Sequence, residues 1–342
     1  MGYFRLIAMA CVLGMLSLPQ ALAQEVTLTL HHFLGPKAPA HAKFLDPWAK
    51  KIEAESGGRI KIELFPSMSM GGKPPELFAQ VRDGVADIVW TLPGYTPGQF
   101  ARSEVFELPG IHRGNAKATD LAIQDVYPMV AEDFKDVKVL LLFAHAGNAI
   151  HTVDKAVHSP ADLKGLKLRT PSRTGAWVIE SWGAEPVGMP LPSLPEALSK
   201  KAVDGALIPF EVVPAIKLQE MTKYSIQGAD GSRFGTSLFL LAMNKKRYEE
   251  LPDDLKKIID GNSGAALAPL AGDLWNTFEE PGKKMRRDAG GEVIELAADE
   301  KAAFDALNEQ VVNRWIDEVT KKGLDGKGLV DAARAAVAKY SN

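Results

Sequence analysis

The 342-residue sequence predicts an α/β protein of two domains, with mainly parallel sheets flanked by helices. Three observations carry this. Residues 26–92 run strand, helix, strand, helix, strand. Residues 137–210 repeat the alternation after a long helical stretch. The length is enough for two hydrophobic cores, with neither an internal repeat nor a low-complexity linker.

The elements follow in order. Arg5 precedes an apolar run over residues 6–18 that is too short to span a bilayer, and Ala21-Leu22-Ala23 fits an A-x-A cleavage signal. Residues 1–23 are therefore expected to be a cleaved signal peptide, with the mature chain starting at Gln24. Cys11, the sole cysteine, lies inside that run without a lipobox, so the mature chain has neither disulfides nor thiol chemistry. Without Arg5 it carries 39 basic against 43 acidic residues, and this mild acidity argues against a nucleic-acid partner.

Residues 26–30 alternate as a strand and end at His31, His32 and Phe33 before Gly35-Pro36. Residues 40–56 place Phe44, Leu45, Trp48 and Ile52 on one helical face, and Gly57-Gly58 stops the helix. A strand over 59–65, a helix from Pro74-Pro75 to Val81 and a strand over 85–92 complete the first unit. Ligands of such sheets sit beyond the carboxyl ends of the strands. Those ends supply Phe33, residues 68–72 and residues 90–95.

Residues 116–134 read as a helix and 137–145 as a buried strand, with a short strand at 150–153. That strand pair looks like a passage between domains. Ser159-Pro160 begins a helical turn. Strands follow at 166–169, 185–189 and 205–210, separated by helices at 174–182 and 194–203. Residues 236–243 form an apolar strand. Residues 253–287 have one long helical pattern, which Pro269 and Pro281 are expected to kink. A strand at 292–296, an amphipathic helix over 301–320 and a last helix over 329–339 end the chain.

Enzyme signatures are missing. The chain has no G-x-S-x-G, S-x-x-K or H-E-x-x-H motif and no Gly-rich phosphate loop. His145, His151, Asp154 and His158 lack any recognised metal-ligand spacing. No metal, no cofactor and no catalytic residue is expected, and binding without conversion is the reading. An exported hydrolase or isomerase is the rival outside binding.

Six segments, in order, carry a family pattern: KIELFPS with MG at 61–71, VRDGVAD at 81–87, FELP at 106–109, DLKGLKLRTP at 162–171, AVDG at 202–205, and Asn244 through Leu251-Pro252. Over essentially the whole mature chain the sequence resembles the extracytoplasmic solute-binding subunits of TRAP transporters, the dicarboxylate-type family. The resemblance implies a two-domain periplasmic binding protein with a hinge and a long kinked interdomain helix. Domain I is expected over 24–146 plus about 235–274, and domain II over 147–234 plus about 275–342. It also implies a periplasmic location, capture of a small organic acid, and delivery to an ion-gradient-driven membrane permease. Monomer and dimer both stay open, with Trp315 serving packing or pairing.

In that family the arginine of LR-x-P grips the ligand carboxylate, and it falls on Arg169. A guanidinium fork matches a carboxylate with two parallel hydrogen bonds. Ser172 is placed to add a hydroxyl, and Arg173 is the rival clamp. Many relatives carry a second arginine where this chain has Ala149, and an asparagine where it has Ile208. Phe33, Leu92 and Leu191 stand where sugar-acid binders use polar groups. Trp90, Phe210, Phe234 and Phe239 add aromatic options. The expected ligand is a monocarboxylate with an apolar or aromatic body. Asn148, His151 and Tyr95 keep open a dicarboxylate or sugar acid, and an amino acid or a metal–ligand complex is a further alternative.

Overall fold

The computed structural model describes residues 25–341, so the signal-peptide reading lies outside the described residues. Its strands are β1 (Val26–His32), β2 (Ile60–Phe65), β3 (Ile88–Thr91), β4 (Val137–Ala144), β5 (Ala149–Thr152), β6 (Lys167–Thr170), β7 (Glu185–Gly188), β8 (Gly205–Ile208), β9 (Tyr224–Gly228), β10 (Leu238–Asn244) and β11 (Glu292–Leu296). They form two mixed sheets, ordered β2-β1-β3-β10-β4 and β11-β9-β5-β8-β6-β7. Five of the nine strand pairings among the described residues are parallel, and the other four arise from one strand in each sheet antiparallel to both neighbours: β10 in the first and β5 in the second. Each of these inserted strands lies just beyond a crossing between the lobes. From Val139 to Ala144 β4 is a continuous apolar run, packed by the helices Ala116–Val130 and Gly264–Asp288.

The crossings lie side by side. Asn148 N–H donates to the Gly235 carbonyl at 2.8 Å, and Phe234 N–H returns a bond to the Asn148 carbonyl at 2.9 Å. A short two-stranded strap thus joins the lobes. The helix Gly264–Asp288 runs across both, packing on the helix Ala116–Val130 and β4 in one lobe and on Phe210–Val212 and β11 in the other. Its Trp275 is fully buried against Phe44, Phe143 and Phe239, with ring centroids 4.8–5.6 Å apart.

Three expectations change. The helical pattern over 253–287 breaks at Asn262-Ser263, not at its prolines, and the second helix continues across Pro269 and Pro281. Each proline removes one internal hydrogen bond, but packing on both lobes holds the helix continuous. The amphipathic stretch 301–320 divides into Ala298–Asp305 and Asn308–Lys321. β9 was absent from the sequence reading because Ser225 and Gln227 hide its apolar pattern. Ser225 is buried against His151 Nδ1 at 2.8 Å and Arg286 Nε at 3.0 Å. Trp315 is a packing residue within the chain: it is fully buried, with Nε1 directed at Glu104.

Polar contacts clamp the lobes together beside the strap. Arg173 at the start of the helix Arg173–Ser181 bonds Glu104 Oε1 and Glu318 Oε2, each at 2.6 Å. Thr174 Oγ1 donates to Glu107 Oε2 at 2.9 Å, while Glu107 Oε1 accepts from the Leu238 backbone at 3.0 Å. Burial pushes the Glu107 carboxyl up to about 7.

Two predictions follow from this packing. A raised carboxyl pKa stabilises the folded state below the unfolded value and loses that contribution as pH rises through the folded one. Glu107→Gln should therefore gain stability relative to the wild type between about pH 4.5 and pH 7, by up to roughly 3 kcal/mol. Urea melts of both proteins across that range measure it, and the pairwise difference cancels the opposing effect of the buried neutral histidines. The second concerns Gly282, where a β-carbon would overlap the Phe210 carbonyl. Gly282→Ala should cost about 1–3 kcal/mol in the same melts.

Candidate functional site

A cavity lies between the lobes, where about 390 Å³ of space, open in part to solvent, is left free of protein atoms. It sits beyond the carboxyl ends of parallel strands, as the doubly wound arrangement requires. β1 leads into Phe33 and Leu34, β3 supplies Trp90 and leads to Leu92, β6 supplies Arg169, and β8 leads from Ile208 to Glu211.

One side is aromatic. Phe33 stacks on Trp90 with centroids 5.1 Å apart and planes at 19°. Tyr95 meets Phe33 edge-on at 5.4 Å, and Phe239 lies 4.9 Å from Trp90. These offset and edge contacts hold the rings as a preformed wall. The other lobe contributes aliphatic surface from Leu191, Leu207, Ile208 and Val212.

Arg169 stands on this apolar lining and is 2% exposed. Its Nε donates to the Met189 carbonyl at 2.9 Å, which fixes the plane of the guanidinium. The group also reaches the Tyr95 hydroxyl, which accepts from Leu191 N–H at 3.1 Å. Burial lowers the Arg169 pKa from its ordinary value, with Tyr95 opposing the shift.

No carboxylate lies within 4 Å of Arg169 among the described residues. Other buried arginines differ. Arg233 pairs with Glu279 at 3.0 Å, Arg173 with Glu104 and Glu318, and Arg286 is enclosed by carbonyls and hydroxyls of residues 218–225. An enclosed cation without a counter-ion is costly. The cavity therefore offers a site for one anionic group. Arg173, the rival clamp, is already held by two carboxylates and lies outside this cavity.

Seven expected site residues line the cavity: Phe33, Trp90, Leu92, Asn148, Arg169, Leu191 and Ile208. Four lie elsewhere. Ser172 caps the helix Arg173–Ser181, accepting from Gly175 N–H at 3.2 Å, so its hydroxyl is directed into its own turn. Ala149 is buried in β5, paired with Ile208. Phe210 packs edge-on against His151 at 5.2 Å. Phe234 lies in a cluster with Trp182 and Phe304. Ser172, Ala149 and Phe210 adjoin lining residues in sequence, but their side chains are directed away from the cavity.

Tyr95 and Phe239, noted as options, line the cavity as well. His145, whose expected role beside the metal reading is an ordinary polar residue near the cleft, also lines the cavity, and Glu211 is a lining residue that the motifs do not point to. His145 is buried between the backbone N–H groups of Gly147 and Ser237, each 3.0 Å from a ring nitrogen, and burial holds it neutral. It does not meet the other residues weighed for a metal: His151 bonds Ser225, and His158 pairs with Glu300 at 3.0 Å. Glu211 is 4% exposed, and burial beside Glu279 raises its carboxyl well above the usual range. An acid inside the apolar run Pro209–Pro214 was the available signal.

Comparison with known proteins gives the same architecture. The chain is similar to a TRAP solute binding protein from an unidentified marine-metagenome microbe, specific for aromatic acid ligands and solved with metahydroxyphenylacetate. Identity is 46% and TM-score 0.91, covering 93% of this chain and 100% of that one. It is also similar to a TRAP solute binding protein from Rhodoferax ferrireducens solved with copurified benzoate, at 41% identity and TM-score 0.90, covering 92% and 98%. A C4-dicarboxylate-binding periplasmic protein from Rhodobacter capsulatus is 25% identical over 327 residues, 95% of this chain and 94% of that one. The model of the bacterial extracellular solute-binding proteins, family 7, matches residues 30–318, and the chain belongs to that family.

Proposed function

We propose that this chain is a periplasmic receptor that captures an aromatic monocarboxylate and hands it, unchanged, to a TRAP-type membrane permease. The carrying observation is the enclosed Arg169 guanidinium, without a carboxylate partner, on a cavity wall of stacked rings. Met189 holds Nε, so the remaining N–H groups face a carboxylate as a fork. Tyr95 accepts from Leu191, which leaves its own O–H to donate to the same carboxylate. The ring of the acid then lies among Phe33, Trp90 and Phe239, where burial of apolar surface contributes about 25 cal/mol per Å².

The lining argues against a second carboxylate. Arg169 is the sole cationic residue among the described residues that line the cavity. A dicarboxylate would leave one charge buried and unpaired. Benzoate and metahydroxyphenylacetate in the two similar solved receptors support an aromatic acid here. The periplasmic relative and the export-type start of the sequence support the location. Family membership supports the permease as recipient. The strap at Asn148 and Gly235 is the natural pivot for lobe opening.

Isothermal titration with benzoate, succinate and glucuronate tests the reading. Benzoate should bind and the other two should not, and mass spectrometry should recover benzoate unaltered. Arg169→Ala should weaken benzoate binding by about 2–5 kcal/mol, roughly thirtyfold to several thousandfold, with its thermal melt retained. Normal binding by that variant, or tight binding of succinate alone, would overturn the assignment.

A further inference from the structure

Among the described residues, three that line the cavity each carry a buried side-chain polar atom without a well-formed hydrogen bond: Trp90 Nε1, Asn148 Oδ1 and Glu211 Oε2, the Glu211 carboxyl having only the Trp275 indole N–H nearby. Buried polar atoms in folded proteins are ordinarily paired. These three come from different parts of the chain, namely β3, the interlobe strap and the turn after β8. None is engaged with the carboxylate-binding group, and Glu211 forms no ion pair with Arg169 within 4 Å. A plain aromatic acid such as benzoate has a single polar group, and Arg169 with Tyr95 would use it.

We propose that Trp90, Asn148 and Glu211 form a second polar subsite that recognises a hydroxyl group on the ring of the bound aromatic acid. This rests on the aromatic-acid reading above. The donor and acceptor inventory fits a hydroxyl. A phenolic O–H donates to Asn148 Oδ1, an acceptor, and its oxygen accepts from the indole N–H of Trp90.

Glu211 matches as well. Its Oε2 is buried, its backbone N–H is directed at Glu279 Oε1 at 3.3 Å, and Glu279 is itself paired with Arg233. Burial and the neighbouring Glu279 carboxylate keep Glu211 protonated. A neutral carboxyl adds an O–H donor without repelling an anionic ligand. A charged one in the same place would oppose the acid that Arg169 attracts. An acid without the hydroxyl leaves these groups unmatched, the condition under which a site discriminates against an analogue.

Titration calorimetry with benzoate, the three hydroxybenzoate isomers and 3-hydroxyphenylacetate separates the possibilities. At least one hydroxylated acid should bind the wild-type protein about tenfold or more tightly than benzoate. Asn148→Ala and Glu211→Leu should each reduce that ratio by about threefold or more, while Glu211→Gln, which keeps a donor and an acceptor, should preserve more of it than Glu211→Leu. Thermal melts check that each variant is folded, and Asn148→Ala provides the readout if Glu211→Leu is not. A wild-type ratio of one or below for every hydroxylated acid overturns the subsite while leaving the aromatic-acid receptor intact. So does a ratio that both truncations leave unchanged. Failure of every aromatic acid to bind overturns both.

Discussion

A guanidinium enclosed in apolar surroundings without a counter-ion organises this molecule. Taking a charge out of water is expensive unless partners replace the lost hydration. The protein meets that need at Arg173, Arg233 and Arg286 with its own carboxylates, carbonyls and hydroxyls. At Arg169 the described residues supply the Met189 carbonyl and the Tyr95 hydroxyl, and none of them places a carboxylate within 4 Å. In the proposed function, that deficit is what an anion would fill, and the guanidinium is oriented before the anion arrives. Preorganisation of this kind lowers the ordering cost of association.

The fold places that deficit where two lobes meet. β6 carries Arg169 in one sheet, and the rings of Phe33, Trp90 and Phe239 belong to the other. Neither lobe alone encloses the guanidinium. The strap, the long helix and the Arg173–Glu104 contact hold the halves in one relation. Glu107 sits at the same junction with both oxygens engaged, one from each lobe. Its elevated pKa means that closure around it favours the neutral acid. The same logic recurs at Glu211 on the cavity wall. At both acids burial favours the neutral form near the proposed anion site.

Much of the architecture was legible along the chain. The alternation of strands and helices, the Gly and Pro punctuation and the apolar run of β4 follow from local periodicity. Tertiary packing decided what local signals left open. The helix is not interrupted at Pro269 and Pro281, and β9 takes its place through pairing with β5 and β11 rather than through its own composition. In the site, Arg169 and the ring-bearing strand ends were found from a motif and from strand polarity. Ser172 and Phe210 adjoin lining residues yet are directed away, and Phe234 packs into a separate ring cluster.

The sequence by itself determined the element order, the mild acidity, the absence of familiar enzyme motifs and a single arginine in the LR-x-P setting, because each is a property of local spacing or composition. Only the tertiary structure decided which buried arginine fronts the cavity, which rings face one another there, and that Glu211 and His145 stand on the same lining. Those are relations between residues distant in the chain, and ionisation, burial and hydrogen-bond satisfaction are set by neighbours in space rather than in sequence.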